Sequence, residues 1–274
     1  MSATAPQQTL PASAPRLAFH RVVRSEWIKL RTLRSTVWSY LIVIVMAVGL
    51  SALMASTPHT GADQLDAAGQ ASLLAQSSTV GLTFGQLVVA VLGVLVISGE
   101  YSTGMIRSTL TAVPRRLPAL WAKAVVLFIA TFVIGVVSTV LAFFASLAIF
   151  APDGVEAKLF DPRVYLVLLG SAFYLAVLAV FSLGIGAILR NSAGGIAAAL
   201  GVILLLPTLW SLIPWDWARD AFGYLLSNAG NHLYGTRPGE GTSGLEPWQD
   251  VLVILAWVVV SLAGAALLLK RRDA

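Results

Sequence analysis

The sequence predicts an all-α, polytopic membrane protein with six transmembrane helices, and three observations carry that reading. First, only 11% of its 274 residues are charged while 57% are hydrophobic, with a mean hydropathy of +0.82. A soluble domain carries about a quarter charged residues, so the surplus apolar surface here must face lipid. Second, six runs of helix-compatible length contain no Asp, Glu, Lys or Arg: Val37–Ala55, Val80–Ser98, Ala124–Phe150, Val164–Leu189, Gly195–Ile213 and Val251–Leu269. A hydrocarbon core of about 30 Å needs roughly 20 helical residues at 1.5 Å each. Third, the basic residues gather in alternate connecting segments. With the N-terminus inside, segments 1–36, 99–123, 190–194 and 270–274 hold 14 of the 18 Lys and Arg but 3 of the 13 acids. The reverse topology inverts that bias, so both termini are expected in the cytoplasm.

Taken in order, residues 1–15 are uncharged and rich in Pro, Ala, Ser, Thr and Gln, which reads as a disordered cytoplasmic tail. Residues 16–274 read as a single transmembrane domain. Before the first span, Phe19, Val22, Val23, Trp27, Leu30 and Leu33 share one helical face, with Arg21, Arg24 and Arg31 on the other. This is an amphipathic helix suited to the inner membrane interface. Glu26 projects into its apolar arc. It either pairs with Lys29 at i,i+3 or meets a cation on a partner subunit.

The segment after span two runs from Ser98 through Gly99, Glu100, Tyr101, Gly104, Met105, Ile106 and Arg107 to Pro114, Arg115 and Arg116. Met105, Ile106, Leu110, Val113 and Leu117 recur at helical spacing, which predicts a short basic amphipathic helix joining spans two and three. Pro118 suits the first turn of span three. By pattern alone this helix could rest on anionic lipid or dock on a partner. In span five, Pro207 requires a local kink or a neighbouring helix to satisfy the carbonyl it frees. The long segment 214–250 carries Trp215, Trp217, Tyr224 and Trp248, suited to headgroup level, and Ala218–Leu226 reads as a short surface helix. Close helix approach is expected at Gly184, Gly186, Gly194, Gly195 and Gly201. Thr83, Gln86, Ser138, Thr139 and Ser182 either line a route or bond back to their own helices.

The pattern Gly99-Glu100-Tyr101-x-x-Gly104-x-Ile106-Arg107, ending in Pro114-Arg115-Arg116, resembles permease subunits of ABC-2 type transporters. The opening Arg24-Ser25-Glu26-Trp27-Ile28-Lys29-Leu30-Arg31 is similar to their N-terminal interfacial helix. The resemblance covers the whole chain in topology and about 30 residues in motif. It implies two six-helix permease subunits, identical or related, bound to cytoplasmic ATPase subunits that hold ATP and magnesium. It also implies that Glu100, Tyr101, Gly104, Ile106, Arg107, Arg115 and Arg116 couple the ATPase to the membrane helices. Glu26, Trp27, Lys29 and Arg31 would belong to the interfacial helix.

Chemistry of its own is poorly supported in this chain. No Gly-Lys dipeptide occurs, so a phosphate-cradling loop ending in Gly-Lys-Ser/Thr is excluded. The six runs lack the ionisable groups that ion-coupled carriers place at membrane depth. Cys is absent and the three histidines (His20, His59, His232) lie outside the runs, which removes the usual metal sites. Gly241-Thr-Ser-Gly244, with His232 nearby, matches a short serine-protease pattern, but Ser243 lies in a polar loop typical of a turn. The basic residues form no single soluble face, which argues against nucleic acid. The expected function is an exporter subunit energised by a partner; an ion-coupled carrier or a non-transporting scaffold or sensor is the alternative. The 14 Arg against 4 Lys point to a GC-rich bacterial genome and hence to a bacterial plasma membrane.

Overall fold

A computed structural model describes residues 18–57, 65–105, 117–155, 157–235 and 245–271. All regular structure among them is helical. Ten helices follow in chain order: α1 (Phe19–Thr32), α2 (Arg34–Ala55), α3 (Ala67–Thr79), α4 (Leu82–Ser102), α5 (Leu117–Phe150), α6 (Pro162–Leu189), α7 (Ser192–Trp210), α8 (Asp216–Phe222), α9 (Leu226–Tyr234) and α10 (Pro247–Arg271). Helices α2, α4, α5, α6, α7 and α10 are each apolar and long enough to cross a membrane, matching the six expected spans.

The fold is built around α6. Its apolar residues face neighbours on nearly every side, whereas α2, α7 and α10 leave most of their surface exposed for lipid or other helices. Helix α6 packs on α4, α5 and α10, and α2 packs on α5 and α4. Apolar side chains from these five helices make the main core, including Val43, Leu92, Leu127, Leu175, Leu183 and Leu262. Buried polar bonds fix the mutual rotation of the helices. Tyr40 shares a 2.9 Å hydrogen bond with Thr131 between α2 and α5, and the Tyr174 hydroxyl donates to Gln86 Oε1 at 2.9 Å between α6 and α4.

Several span limits differ from the expected ones for local reasons. Helix α5 has 34 residues, about 51 Å at 1.5 Å per residue, so its first turns project beyond a 30 Å core and carry Lys123 with them. Helix α7 is interrupted by a π turn at Gly201–Leu205, where the Leu206 amide donates to the Gly201 carbonyl five residues back. This wider turn ends at Leu205, two residues before Pro207, and relaxes the backbone hydrogen-bond ladder where the proline cannot donate. One helix was not anticipated. Asp66 accepts from the Gly69 amide at 2.8 Å and starts α3, whose Ala71 and Leu74 pack against Phe143, Phe150 and Leu168. The expected surface helix at Ala218–Leu226 is instead two helices, α8 and α9, separated at 223–225. The N-terminal tail, His59 and the Gly241–Gly244 match lie outside the described residues.

Candidate functional site

The amphipathic α1 buries Val22, Glu26 and Leu30, spaced four apart on one face. That face packs against α5, where Val22 meets Ala119 and Ala122. Arg21, Arg24 and Arg31 remain exposed, as does Ile28. A single extended residue, Leu33 (ψ 118°), then turns the chain into α2. Trp27 and Tyr101 are half-buried against the main core.

Two helix ends meet α1, and all three helices bring charges. Glu26 and Lys29 come from α1, Glu100 from the last turn of α4, and Lys123 from the second turn of α5. The Lys123 ammonium donates to Glu26 Oε2 at 2.6 Å and to Glu100 Oε1 at 2.9 Å. The Lys29 ammonium donates to Glu26 Oε1 at 2.7 Å and to Glu100 Oε1 at 3.1 Å. Glu26, Glu100 and Lys123 are each about 95% buried, and only Lys29 reaches solvent appreciably. Two carboxylates and two ammonium groups leave the quartet formally neutral. Mutual pairing makes that burial tolerable; any one of the charges alone would not be.

The pairing shows in the titration of the α1 members. Burial by itself raises the Glu26 carboxyl, but the charges and hydrogen bonds of Lys123 and Lys29 outweigh it and hold the group below its ordinary 4.5. Burial likewise lowers the Lys29 ammonium, and the bonds and charges of Glu26 and Glu100 override it, so the group stands above 10.5. Of the two expectations for Glu26, the i,i+3 pair with Lys29 is the one observed. It pairs with Lys29, and it also meets a more distant cation, but that cation belongs to its own chain.

The same end of α4 is fastened to a further pair of helices. Ser192 at the start of α7 donates to Ser98 at 2.9 Å. Arg190 lies between α6 and α7 in the left-handed conformation (φ 54°), and its guanidinium sits 5.2 Å from the centre of the Tyr101 ring. Gly104 has a different task. At φ +72° it adopts a backbone that a side chain would strain, and its amide donates to the Tyr101 carbonyl as α4 ends. It is the stop signal of the helix. Ile106, Arg107, Arg115 and Arg116 lie outside the described residues, as does most of the expected linking helix.

Sequence reasoning missed Lys123, Ser98, Ser192 and Arg190. For Lys123 a signal existed, since it is the only charged residue in the 34 of α5 and two of the acids expected on that side, Glu26 and Glu100, sit on other helices. On the opposite side of the bundle, His232 of α9 bonds through Nδ1 to Asp250 Oδ2 at 2.6 Å, at the first turn of α10, and Asp250 is fully buried. His232 thus serves a helix contact. Of the small residues, Gly184 faces Ser261 and Gly186 and Gly195 face Val94 within the chain, whereas Gly201 has open space beside it. Ser138 and Thr139 bond back to their own helix, Gln86 accepts from Tyr174, and Thr83 is exposed.

Comparison with known proteins places this geometry in context. A family model described as ABC-2 family transporter protein matches residues 22–207, from α1 through Pro207. That stretch includes all four members of the quartet, Tyr101 and Arg190. No individual curated protein matches the chain.

Proposed function

The chain belongs to the ABC-2 family of transporter proteins and is a multi-pass membrane permease, and from that premise we propose that it is an exporter subunit energised by a separate cytoplasmic ATPase. Residues 16–274 form the permease domain, with both termini in the cytoplasm of a bacterial cell and a second permease copy or a related permease completing the pathway. ATP and magnesium belong to the ATPase. The family's membrane subunits do not themselves perform the hydrolysis.

The observation that carries this reading is the attachment of the α4 end to four other helices. Ion pairs join it to α1 and α5, while the Tyr101–Arg190 stack and the Ser98–Ser192 bond join it to α6 and α7. An ATPase that engages the segment beyond Gly104, through Ile106, Arg107, Arg115 and Arg116, would therefore move five helices as one body. In this scheme Glu100 and Tyr101 are positioning residues that hold the linker's root, and Glu26, Trp27, Lys29 and Arg31 keep the interfacial helix on it. Buried charges sit at helix ends in this arrangement and not halfway along the spans, which favours a partner's energy over an ion gradient.

The test is a gentle-detergent pull-down of the tagged chain from its native membrane, assayed for ATP hydrolysis and for stoichiometric companions. An ATP-binding subunit should co-purify with the wild type and be lost from Arg107→Glu, while membrane insertion is unchanged. Undiminished co-purification by Arg107→Glu removes the coupling assignment. A folded chain recovered without any ATPase would turn the reading to an ion-coupled carrier or a scaffold.

A further inference from the structure

We propose that the outward row of arginines on α1 holds anionic phospholipids in the leaflet that the helix borders. Arg21, Arg24 and Arg31 form the row, with Ile28 among them, and all four are exposed. At about 100° per residue they fall within an arc of about 80°. The arc lies opposite Val22, Glu26 and Leu30, the residues that α1 buries. It runs about 15 Å along the helix, and Arg34, also exposed, continues the basic surface at the start of α2.

An amphipathic helix at a membrane interface ordinarily anchors by sinking its apolar face into lipid. In this chain α5 covers the middle of that face instead, with Val22 against Ala119 and Ala122 and Glu26 against Lys123. What α1 turns outward is a row of cations with one apolar side chain. Nothing nearby balances the charge. Among the described residues the acids at this end of the bundle are Glu26 and Glu100, and both are buried on Lys29 and Lys123. Arg21, Arg24, Arg31 and Arg34 form no ion pair among the described residues. Uncompensated guanidinium groups call for an anion, and their forked N–H donors match phosphate oxygens in pairs.

The depth of the row selects lipid phosphate over an acidic protein. Only Leu33 separates α1 from the span α2. Val37 and Trp38, exposed and apolar, follow Arg34 by three and four residues, about 5–6 Å of helix. The polar layer of one leaflet is about 5–7 Å thick, and Trp is at home on its inner border. With Trp38 at that border, Arg34 and Arg31 stand in the phosphate layer. A soluble acidic partner would have to displace headgroups to reach them. The lipid contact requires neither an ATPase nor transport, so it stands or falls apart from the coupling role.

The experiment uses delipidated full-length protein in detergent, offered dioleoyl phosphatidylglycerol or dioleoyl phosphatidylcholine, with retained lipid counted by native mass spectrometry. Phosphatidylglycerol should be retained in preference, and the preference should weaken as salt is raised. Replacing arginines of the row should reduce it about fivefold for each one removed, read from Arg24→Gln, Arg31→Gln and the pair together. Arg24→Lys with Arg31→Lys keeps the charge and should keep most of the preference. Lys270→Gln with Arg271→Gln, at the exposed end of α10, should leave it intact. Equal retention of the two lipids by the wild type overturns the proposal. So does an unchanged preference in the folded glutamine variants, or an equal loss in the α10 variant, which would assign the effect to basic charge in general. Loss of a co-purifying acidic protein from the glutamine pair, with lipid preference unaltered, would give the row to that protein instead.

Discussion

Glu26 and Lys123, 97 positions apart in the chain, meet at 2.6 Å in a site from which water is almost excluded. The bond joins an interfacial helix to a membrane span, and Glu100 closes the triangle from a second span. Burial makes this contact structurally decisive. A charge left behind by a lost partner there has no solvent to turn to.

Removing Lys123 should therefore cost far more than removing Lys29. Lys123→Met leaves two buried carboxylates sharing one half-exposed cation and should lower stability by about 3–5 kcal/mol. Lys29→Met removes a partner that solvent can partly replace, and should cost about 1 kcal/mol. Thermal unfolding of both variants in detergent checks the order; comparable losses would show that α1 is held by its apolar stripe alone.

The pairing also predicts a plateau of stability bounded at both ends of the pH scale. Glu26 is held below 4.5, so its contribution is present above that value and disappears as pH falls through the folded-state pKa. Lys29 is held above 10.5, so its contribution is present below that value and is lost as pH rises through the folded-state pKa. Melting temperature measured from acid to alkali should be level between those limits. Glu26→Gln should flatten the acid limb selectively, and an unaltered acid limb would locate the sensitivity elsewhere.

How much of this was readable beforehand depends on the range of each interaction. The six spans were, because an uncharged apolar run declares itself within 20 residues. Gly104 was marked by its motif, and its left-handed backbone explains why glycine stands there. Helix α3 was not, because its 13 residues are too short and too polar to read as a span, and the packing of Ala71 and Leu74 against Phe143 and Leu168 is distant in sequence. Lys123 read as one more cation of the positive side. Its partners lie 97 and 23 positions away, and no local pattern carries that distance.

The small residues separate into those that are needed and those that are not. A methyl group at Gly184 would stand 2.6 Å from Ser261 Oγ, so Gly184→Ala must push α6 from α10. Such overpacking should cost about 1–3 kcal/mol. Nothing lies within 4 Å of the corresponding position at Gly201, and Gly201→Ala should be neutral or stabilise by about 0.5–1 kcal/mol. Parallel melting curves decide the matter, and a severe loss for Gly201→Ala would mean that a second subunit packs there.

The contact between His232 and Asp250 holds α9 against the start of α10 on the side opposite the quartet. Asp250 is fully buried, and His232 is its only hydrogen-bond partner through a side chain among the described residues. His232→Leu should therefore leave a buried carboxyl without its side-chain donor and cost about 1–3 kcal/mol. Asp250→Leu removes the group that needs the partner, so the histidine, already part-exposed, can turn to water. The double variant should consequently be more stable than His232→Leu alone. Such non-additivity is the signature of direct coupling. A double-mutant cycle by thermal unfolding measures it, and strictly additive losses would mean that α9 is secured by the packing of Leu226 and Ala229 on the core, with the His232–Asp250 hydrogen bond contributing little.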